Sequence, residues 1–274
     1  MLSNAGSPKF DIDATGAAGR IALATIPAIA RIASAGLALL RRSLPQACAL
    51  CRADSGDTLL CDACSLQLPR IIAACPRCAI PSAGALVCGA CLARPPPYAA
   101  AIAAWAYAFP ADRLLHAFKY RGELALAEPL AQALCAAVAT RDQAHDAALP
   151  DCIVPVPLSP RRQRMRGFNH AREIARRVGS AFGVPLAGSL RRTRDTPAQA
   201  ALRLADRAAN VRGAFDADAN FAGLSVAIVD DVMTTGATLA AAAGALLDAG
   251  ALRVEAWAVA RTLPPHAAVA PPPR

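Results

Sequence analysis

The chain has 274 residues, 55% of them hydrophobic, which suffices for one sizeable core and a small accessory module. Aromatic residues make up only 4%, so the core has to be built from Ala, Leu, Val and Ile. The formal net charge of +9 favours anionic partners, nucleic acid among them, and no stretch has the features of a secretory signal or a membrane span.

Arginine carries the positive charge, since Lys9 and Lys119 are the only lysines. A guanidinium is a planar fork suited to phosphate oxygens, although an excess of Arg and Ala together also fits a GC-rich coding bias. Residues 1–43 read as a leader, amphipathic or loosely ordered. Its apolar run from Ile21 to Leu40 is interrupted by Pro27, Arg31 and Gly36, whereas a span needs about 20 mostly uncharged apolar residues. The expected location is the cytoplasm, with a peripheral position at the inner membrane left open.

Residues 44–94 hold eight of the ten cysteines as four C-x-x-C pairs: Cys48/Cys51, Cys61/Cys64, Cys75/Cys78 and Cys88/Cys91. Each pair sets two thiolates on one side of a tight turn, and two pairs make a closed tetrahedral zinc site. In a reducing compartment this spacing favours metal over disulfides or an iron–sulfur cluster. The nearly regular interval predicts a double zinc ribbon with one or two structural Zn2+ ions, sequential sharing being favoured over a crossed arrangement. So small a segment, poor in large apolar residues, is not expected to fold without metal. Its role is either contact with nucleic acid or protein, or plain structural support. Cys135 and Cys152 stand apart and read as buried apolar residues. His116, His145, His170 and His266 show no ligand spacing.

Residues 95–98, with Pro95, Pro96 and Pro97, read as a stiff linker. Residues 99–263 then alternate apolar runs with helical patterns. Strands are expected at Ala101 to Phe109, Cys152 to Val156, Val226 to Val229 and Val254 to Ala260. Helices are expected from Asp112 to Phe118 with Asp112 as N-cap, from Leu124 to Ala139, from Asn169 to Phe182 and from Thr238 to Ala249, the last ended by Gly250. This order predicts an α/β fold with a parallel sheet, right-handed crossovers and a ligand site beyond the carboxyl ends of the strands. Residues 264–274, rich in Pro and Ala, read as a disordered tail.

The most informative segment is VAIVDDVMTTGATL, Val226 to Leu239. A buried strand runs into Asp230 and Asp231, then into Thr234, Thr235, Gly236, Ala237 and Thr238 at the start of a helix. Gly236 permits a backbone shape closed to other residues. The backbone N–H groups there make an anion site, to which the three threonines add hydroxyl donors. Two adjacent carboxylates repel phosphate and suit ribose hydroxyls instead. Upstream, VPVPLSPRRQRMRGFNHA (Val154 to Ala171) brings Arg161, Arg162, Arg164 and Arg166 together. These suit pyrophosphate or a nucleic-acid backbone, or simply a solvated helix start. Gly167, Phe168 and Asn169 make an abrupt turn, and Asn169 is a candidate cap for the next helix.

The string from Val226 to Leu239 resembles the signature of the phosphoribosyltransferases. That resemblance implies a type I phosphoribosyltransferase-like domain. In it Asp230 and Asp231 hold the ribose hydroxyls, and Thr234, Thr235, Gly236, Ala237 and Thr238 hold the 5-phosphate. Arg162 and Arg166 are the candidate pyrophosphate ligands. In purine-salvage members the position of Thr234 is an acid that assists proton transfer, so here the loop supplies no general base, and binding is favoured over catalysis.

VPVPL, RGFNHA and VAIVDDVMTTGATL, behind a four-pair cysteine module, together resemble the ComF family, competence and DNA-utilisation proteins related to the amidophosphoribosyltransferases. FKYRG (Phe118 to Gly122) and RTRDTPAQAALRLADRAANVRGAF (Arg192 to Phe215) match as well, the latter with Thr196, Gln199, Arg207, Asn210 and Phe215 at the family's spacing. The match covers residues 46–263. It implies binding of phosphoribosyl pyrophosphate with Mg2+ and a link to DNA uptake in natural transformation. Single-stranded DNA and the competence machinery would be the partners. Arg192 to Phe215 is either a lid over the site or a surface helix at Ala201 to Ala209. The rival reading is a non-catalytic DNA-binding or regulatory module that keeps the fold.

Overall fold

The computed structural model describes residues 46–145, 148–188, 190–194, 213–217 and 221–264. The expected leader, the tail and most of the segment from Arg192 to Phe215 lie outside them, Thr196, Gln199, Arg207 and Asn210 included. The described residues fall in one compact unit, Leu44–Arg274.

Two short helices, α1 (Asp62–Leu66) and α2 (Gly89–Ala93), belong to the cysteine-rich segment. Then follow β1 (Ala100–Ala106), α3 (Ala111–Tyr120), α4 (Ala127–His145), β2 (Cys152–Pro155), α5 (Pro160–Arg166) and α6 (His170–Phe182). A ribbon of β3 (Leu190–Arg192) and β4 (Phe215–Ala217) precedes β5 (Ser225–Met233), α7 (Ala237–Asp248) and β6 (Arg253–Arg261). The main sheet has the order β1-β6-β5-β2, every pair parallel. Its strands are buried on both faces, as apolar runs without alternation require. Leu115 and Phe118 of α3, Leu130 and Leu134 of α4 and Ile174 and Val178 of α6 cover one face; Leu239, Ala242 and Leu246 of α7 cover the other.

Several details depart from expectation or add to it, the first being that β1 ends at Ala106 and not at Phe109. Asp112 does not cap α3: the N-cap is Pro110, and the Asp112 carboxylate accepts instead from the N–H of Arg113 at 2.8 Å. β5 runs four residues past Val229, because its parallel pairing with β6 continues through Asp230↔Ala258 to Met233↔Arg261. The ends of the expected lid segment are joined, since Arg192 pairs with Phe215 in the β3–β4 ribbon. Finally, the proline linker separates the cysteine module from the sheet in sequence only. Ile71 N–H donates to Ala104 O at 3.2 Å, Ala106 N–H to Pro69 O at 2.7 Å and Ala101 N–H to Pro76 O at 2.8 Å. β1 is an edge strand with unpaired backbone groups, and the module satisfies several of them. At the other edge, Ile153 of β2 donates to Pro185 O and accepts from Ala187 N–H, each at 2.9 Å.

Candidate functional site

β5 delivers Asp230 and Asp231 to the carboxyl end of the sheet. Successive strand residues point to opposite faces, so Asp230 belongs with Val226 and Ile228 and Asp231 with Ala227 and Val229. Asp230 lines a small cleft with Thr234, Gly236 and Thr238. Gly236 has φ 83° and is the N-cap of α7. The positive φ favours glycine, and space is tight as well: a Cβ there would stand 2.9 Å from Met233 Cε, the movable end of a flexible side chain, and 3.0 Å from Tyr98 Oη. Ala237 opens the helix and donates its N–H to Thr235 Oγ1 at 3.3 Å. Thr234, Thr235 and Thr238 are half-buried around this turn.

Asp231 is buried and has a partner that spacing in the sequence does not announce. Lys119 Nζ lies 2.8 Å from its Oδ1, with the two side chains 17% and 10% exposed. Burial opposes charge on both groups, yet their mutual attraction wins: the Lys119 ammonium is held above its usual range and the Asp231 carboxyl below its own. Asp230 is pushed the other way. Burial first, and the neighbouring Asp231 charge second, raise its carboxyl to about 7. One carboxylate is thus neutralised from behind and the other is left poised to accept a hydrogen bond.

The arginine segment begins at the carboxyl end of β2. Ser159 caps α5, its hydroxyl accepting from Arg162 N–H at 3.4 Å, and left-handed Gly167 ends the helix. Arg162 and Arg166 are four residues apart and share a face; both are half-buried, whereas Arg161 and Arg164 are exposed. The Arg166 guanidinium lies 5.5 Å from the centre of the Tyr120 ring. Asn169 caps α6 through Arg172 N–H at 3.3 Å, and its amide donates to Val156 O at 3.0 Å. The turn is thereby tied to the strand that carries it. His170, buried, meets Phe118 edge-on at a centroid distance of 4.9 Å and Phe168 at a tilt at 4.4 Å, and burial keeps its imidazole below the usual range.

The eight paired cysteines gather in chain order as two groups, Cys48, Cys51, Cys61 and Cys64, then Cys75, Cys78, Cys88 and Cys91. In each group the sulfurs lie within 4.8 Å of one another. Cys51 and Cys61, like Cys78 and Cys88, are 3.7 Å apart. A tetrahedron with Zn–S bonds of about 2.3 Å has edges of roughly 3.8 Å, so the donor set fits Zn2+. Burial, then the neighbouring sulfurs, push the Cys64 thiol up to about 12; four thiolates this close need a cation between them. Cys152 is buried, as read from the sequence, and Cys135 is partly so.

Two family models match: a double zinc ribbon domain over residues 39–92 and a phosphoribosyl transferase domain over residues 163–267. The DNA utilization protein YhgH of Salmonella typhi is 35% identical over 173 residues, covering 62% of this chain and 75% of that one. Competence protein F of Haemophilus influenzae is 33% identical over 159 residues, covering 57% and 69%. The chain belongs to the ComF family. It combines a double zinc ribbon with a phosphoribosyltransferase fold, and its two four-cysteine groups are structural zinc sites. A purine phosphoribosyltransferase from Pyrococcus horikoshii Ot3 superposes with a TM-score of 0.31 at 19% identity, over 52% of this chain and 78% of that one, too low a likeness to carry an argument.

In this ComF-family site, sequence reasoning singles out FKYRG without giving Lys119 a task. A rare lysine in an arginine-rich chain is the available signal. Tyr98 and Arg261, both buried beside the loop, carry no signal at all.

Proposed function

We propose that the site binds phosphoribosyl pyrophosphate together with Mg2+. The observation that carries this reading is the arrangement around β5. Asp231 is compensated by Lys119, Asp230 faces the cleft, and left-handed Gly236 opens the N-terminus of a helix of 12 residues. A 5-phosphate would take the N–H groups and hydroxyls of Thr234 to Thr238. The ribose hydroxyls would donate to Asp230 and Asp231, and Arg162 and Arg166 would meet the pyrophosphate. Mg2+ would enter mainly through the ligand's phosphates and would supply charge neutralisation there.

With Thr234 where an acid would stand, the loop from Thr234 to Thr238 supplies no general base, so catalysis, where it occurs, rests mainly on positioning and charge. Calorimetry with phosphoribosyl pyrophosphate and Mg2+ tests the reading. Wild type should bind and Asp230→Asn with Asp231→Asn should not, with circular dichroism and urea melts checking that the Lys119 ammonium left unpaired has not unfolded the chain. Equal binding by the double variant removes the assignment. Steady release of pyrophosphate, with candidate amines, bases or single-stranded DNA present, separates an enzyme from a binding module.

A second reading, a single-stranded DNA-binding module serving uptake, draws on the names of the relatives and on one surface feature. Tyr107, Phe109 and Tyr120 are exposed in a chain with few aromatics, and Arg166 stands over Tyr120. Aromatic faces interleaved with Arg suit unpaired bases and phosphates. Absence of any affinity for an oligonucleotide at low salt counts against it. Either role belongs in the cytoplasm or at the inner face of the membrane. Among the described residues no helix is long and apolar enough to cross one.

A further inference from the structure

The loop that begins at Met233 is held from the side of the second cysteine group. Arg261, the last residue of β6, is 4% exposed. Its Nε donates to Cys78 O at 2.9 Å, and its Nη1 donates to Met233 O and Thr262 O, each at 3.0 Å. One guanidinium therefore joins a zinc knuckle to the residue at which β5 becomes the phosphate loop. A second contact runs beside it. Tyr98 is buried, and its hydroxyl abuts Gly236 so closely that a Cβ there would lie 3.0 Å away. Tyr98, Ala79 and Met233 share one apolar cluster.

The carbonyl of Cys78 is not placed by chance. Cys78 and Ala79 both donate their N–H groups to Cys75 O, at 3.3 and 2.9 Å, and Ala79 takes φ 57°. A metal held by Cys75 and Cys78 would close the same turn from its sulfur side. The first cysteine group is attached elsewhere. Cys48, Leu60 and Leu68 pack with Trp105 and the α3–α4 core on the other face of the sheet.

We infer that Arg261 is a positioning residue that couples the second four-cysteine zinc site to the phosphate loop, so that zinc at Cys75, Cys78, Cys88 and Cys91, and not zinc at the first site, sets the loop's shape. The inference rests on reading Thr234 to Thr238 as the anion loop. Coupling between two sites is reciprocal, so a ligand on the loop must also tighten the second zinc ion and leave the first unaffected.

The test uses full-length protein with hydrogen exchange of the loop amides as its main readout, which needs no ligand. Cys88→Ser, which disables the second site, is expected to speed exchange from Met233 to Leu239 by about tenfold, whereas Cys51→Ser changes it less than about twofold. Arg261→Met is expected to keep two zinc ions per chain, counted by elemental analysis, and still to show the fast loop; Arg261→Lys should recover part of the protection. Equal responses to the two cysteine variants, or a protected loop in Arg261→Met, overturn the coupling. Should Cys88→Ser fail to fold, Arg261→Met, which leaves both cysteine groups intact, decides. Phosphoribosyl pyrophosphate with Mg2+ is then added while a chromogenic chelator withdraws zinc. Slowed release of one ion out of two supports the coupling and the ligand together. No slowing where calorimetry also shows no binding overturns the ligand reading and leaves the coupling standing, whereas no slowing by a ligand that does bind overturns the coupling.

Discussion

Asp230 and Asp231 are neighbours in sequence and opposites in electrostatics. A raised carboxyl pKa means that the folded chain holds a proton that the unfolded chain has lost. Between pH 4 and 7 the contribution of Asp230 to stability therefore falls as pH rises. Asp230→Asn should flatten that slope and stabilise the protein at pH 8 by on the order of 1–2 kcal/mol, read from urea melts at pH 5 and pH 8. Asp231 works in the other sense. Its depressed pKa gives stability that is present above the unfolded value near pH 4 and is lost as pH falls through the folded one. Removing its partner leaves a buried charge uncompensated, so Lys119→Met should cost about 3–5 kcal/mol at pH 7. Urea melts of Lys119→Met and of Lys119→Met with Asp231→Asn check this. The double variant should recover much of the loss, and a double variant no more stable than the single would mean that the pair is not the cause. The pairing itself is out of reach of the sequence. It joins α3 to β5 across more than a hundred residues, and one ion pair leaves no periodic trace.

At the level of elements, the legible parts are those with local chemistry. Four apolar runs become the four strands of the main sheet, and Asn169 behaves as the cap its residue type predicts. The Thr-Thr-Gly turn opens α7 because Gly236 adopts the left-handed conformation that the spacing requires. The misreadings share a cause, too little context. Asp112 reads as a cap from its side chain alone, but Pro110 precedes it and takes that position. β5 reads as four residues long because apolar character stops at Val229, while the backbone pairing that extends it is set by β6. The β3–β4 ribbon escapes notice because three-residue strands have no measurable period. Gly236→Ala tests the loop at this scale. The φ of 83° and the contacts at 2.9 and 3.0 Å act together, so a destabilisation of about 1–3 kcal/mol is expected, with ligand affinity lost. Calorimetry and thermal melts distinguish the two effects.

For the molecule as a whole, the zinc ribbon is part of the sheet's boundary. Its backbone occupies the outer edge of β1, and residues 185–187 occupy the outer edge of β2. An exposed strand edge is a template for pairing with other chains. Stripping zinc with a strong chelator should therefore do more than unfold a small appendage. Light scattering should rise at concentrations where the zinc-loaded protein stays monodisperse, and re-addition of zinc before aggregation should prevent it. A chelated protein that remains monodisperse would show that the edge is protected by other means.

That boundary also has a consequence for synthesis, which we state as a hypothesis. The cysteine-rich segment leaves the ribosome before β1, whereas the inner partner of β1 is β6, the last strand of the sheet. Pairings between distant segments form slowly and leave intermediates open to aggregation. A ribbon that has already taken up its zinc offers β1 a partner as soon as it emerges, long before β6 exists. Zinc supply in the cell would then govern how much of this protein reaches its native state, through the lifetime of one nascent strand.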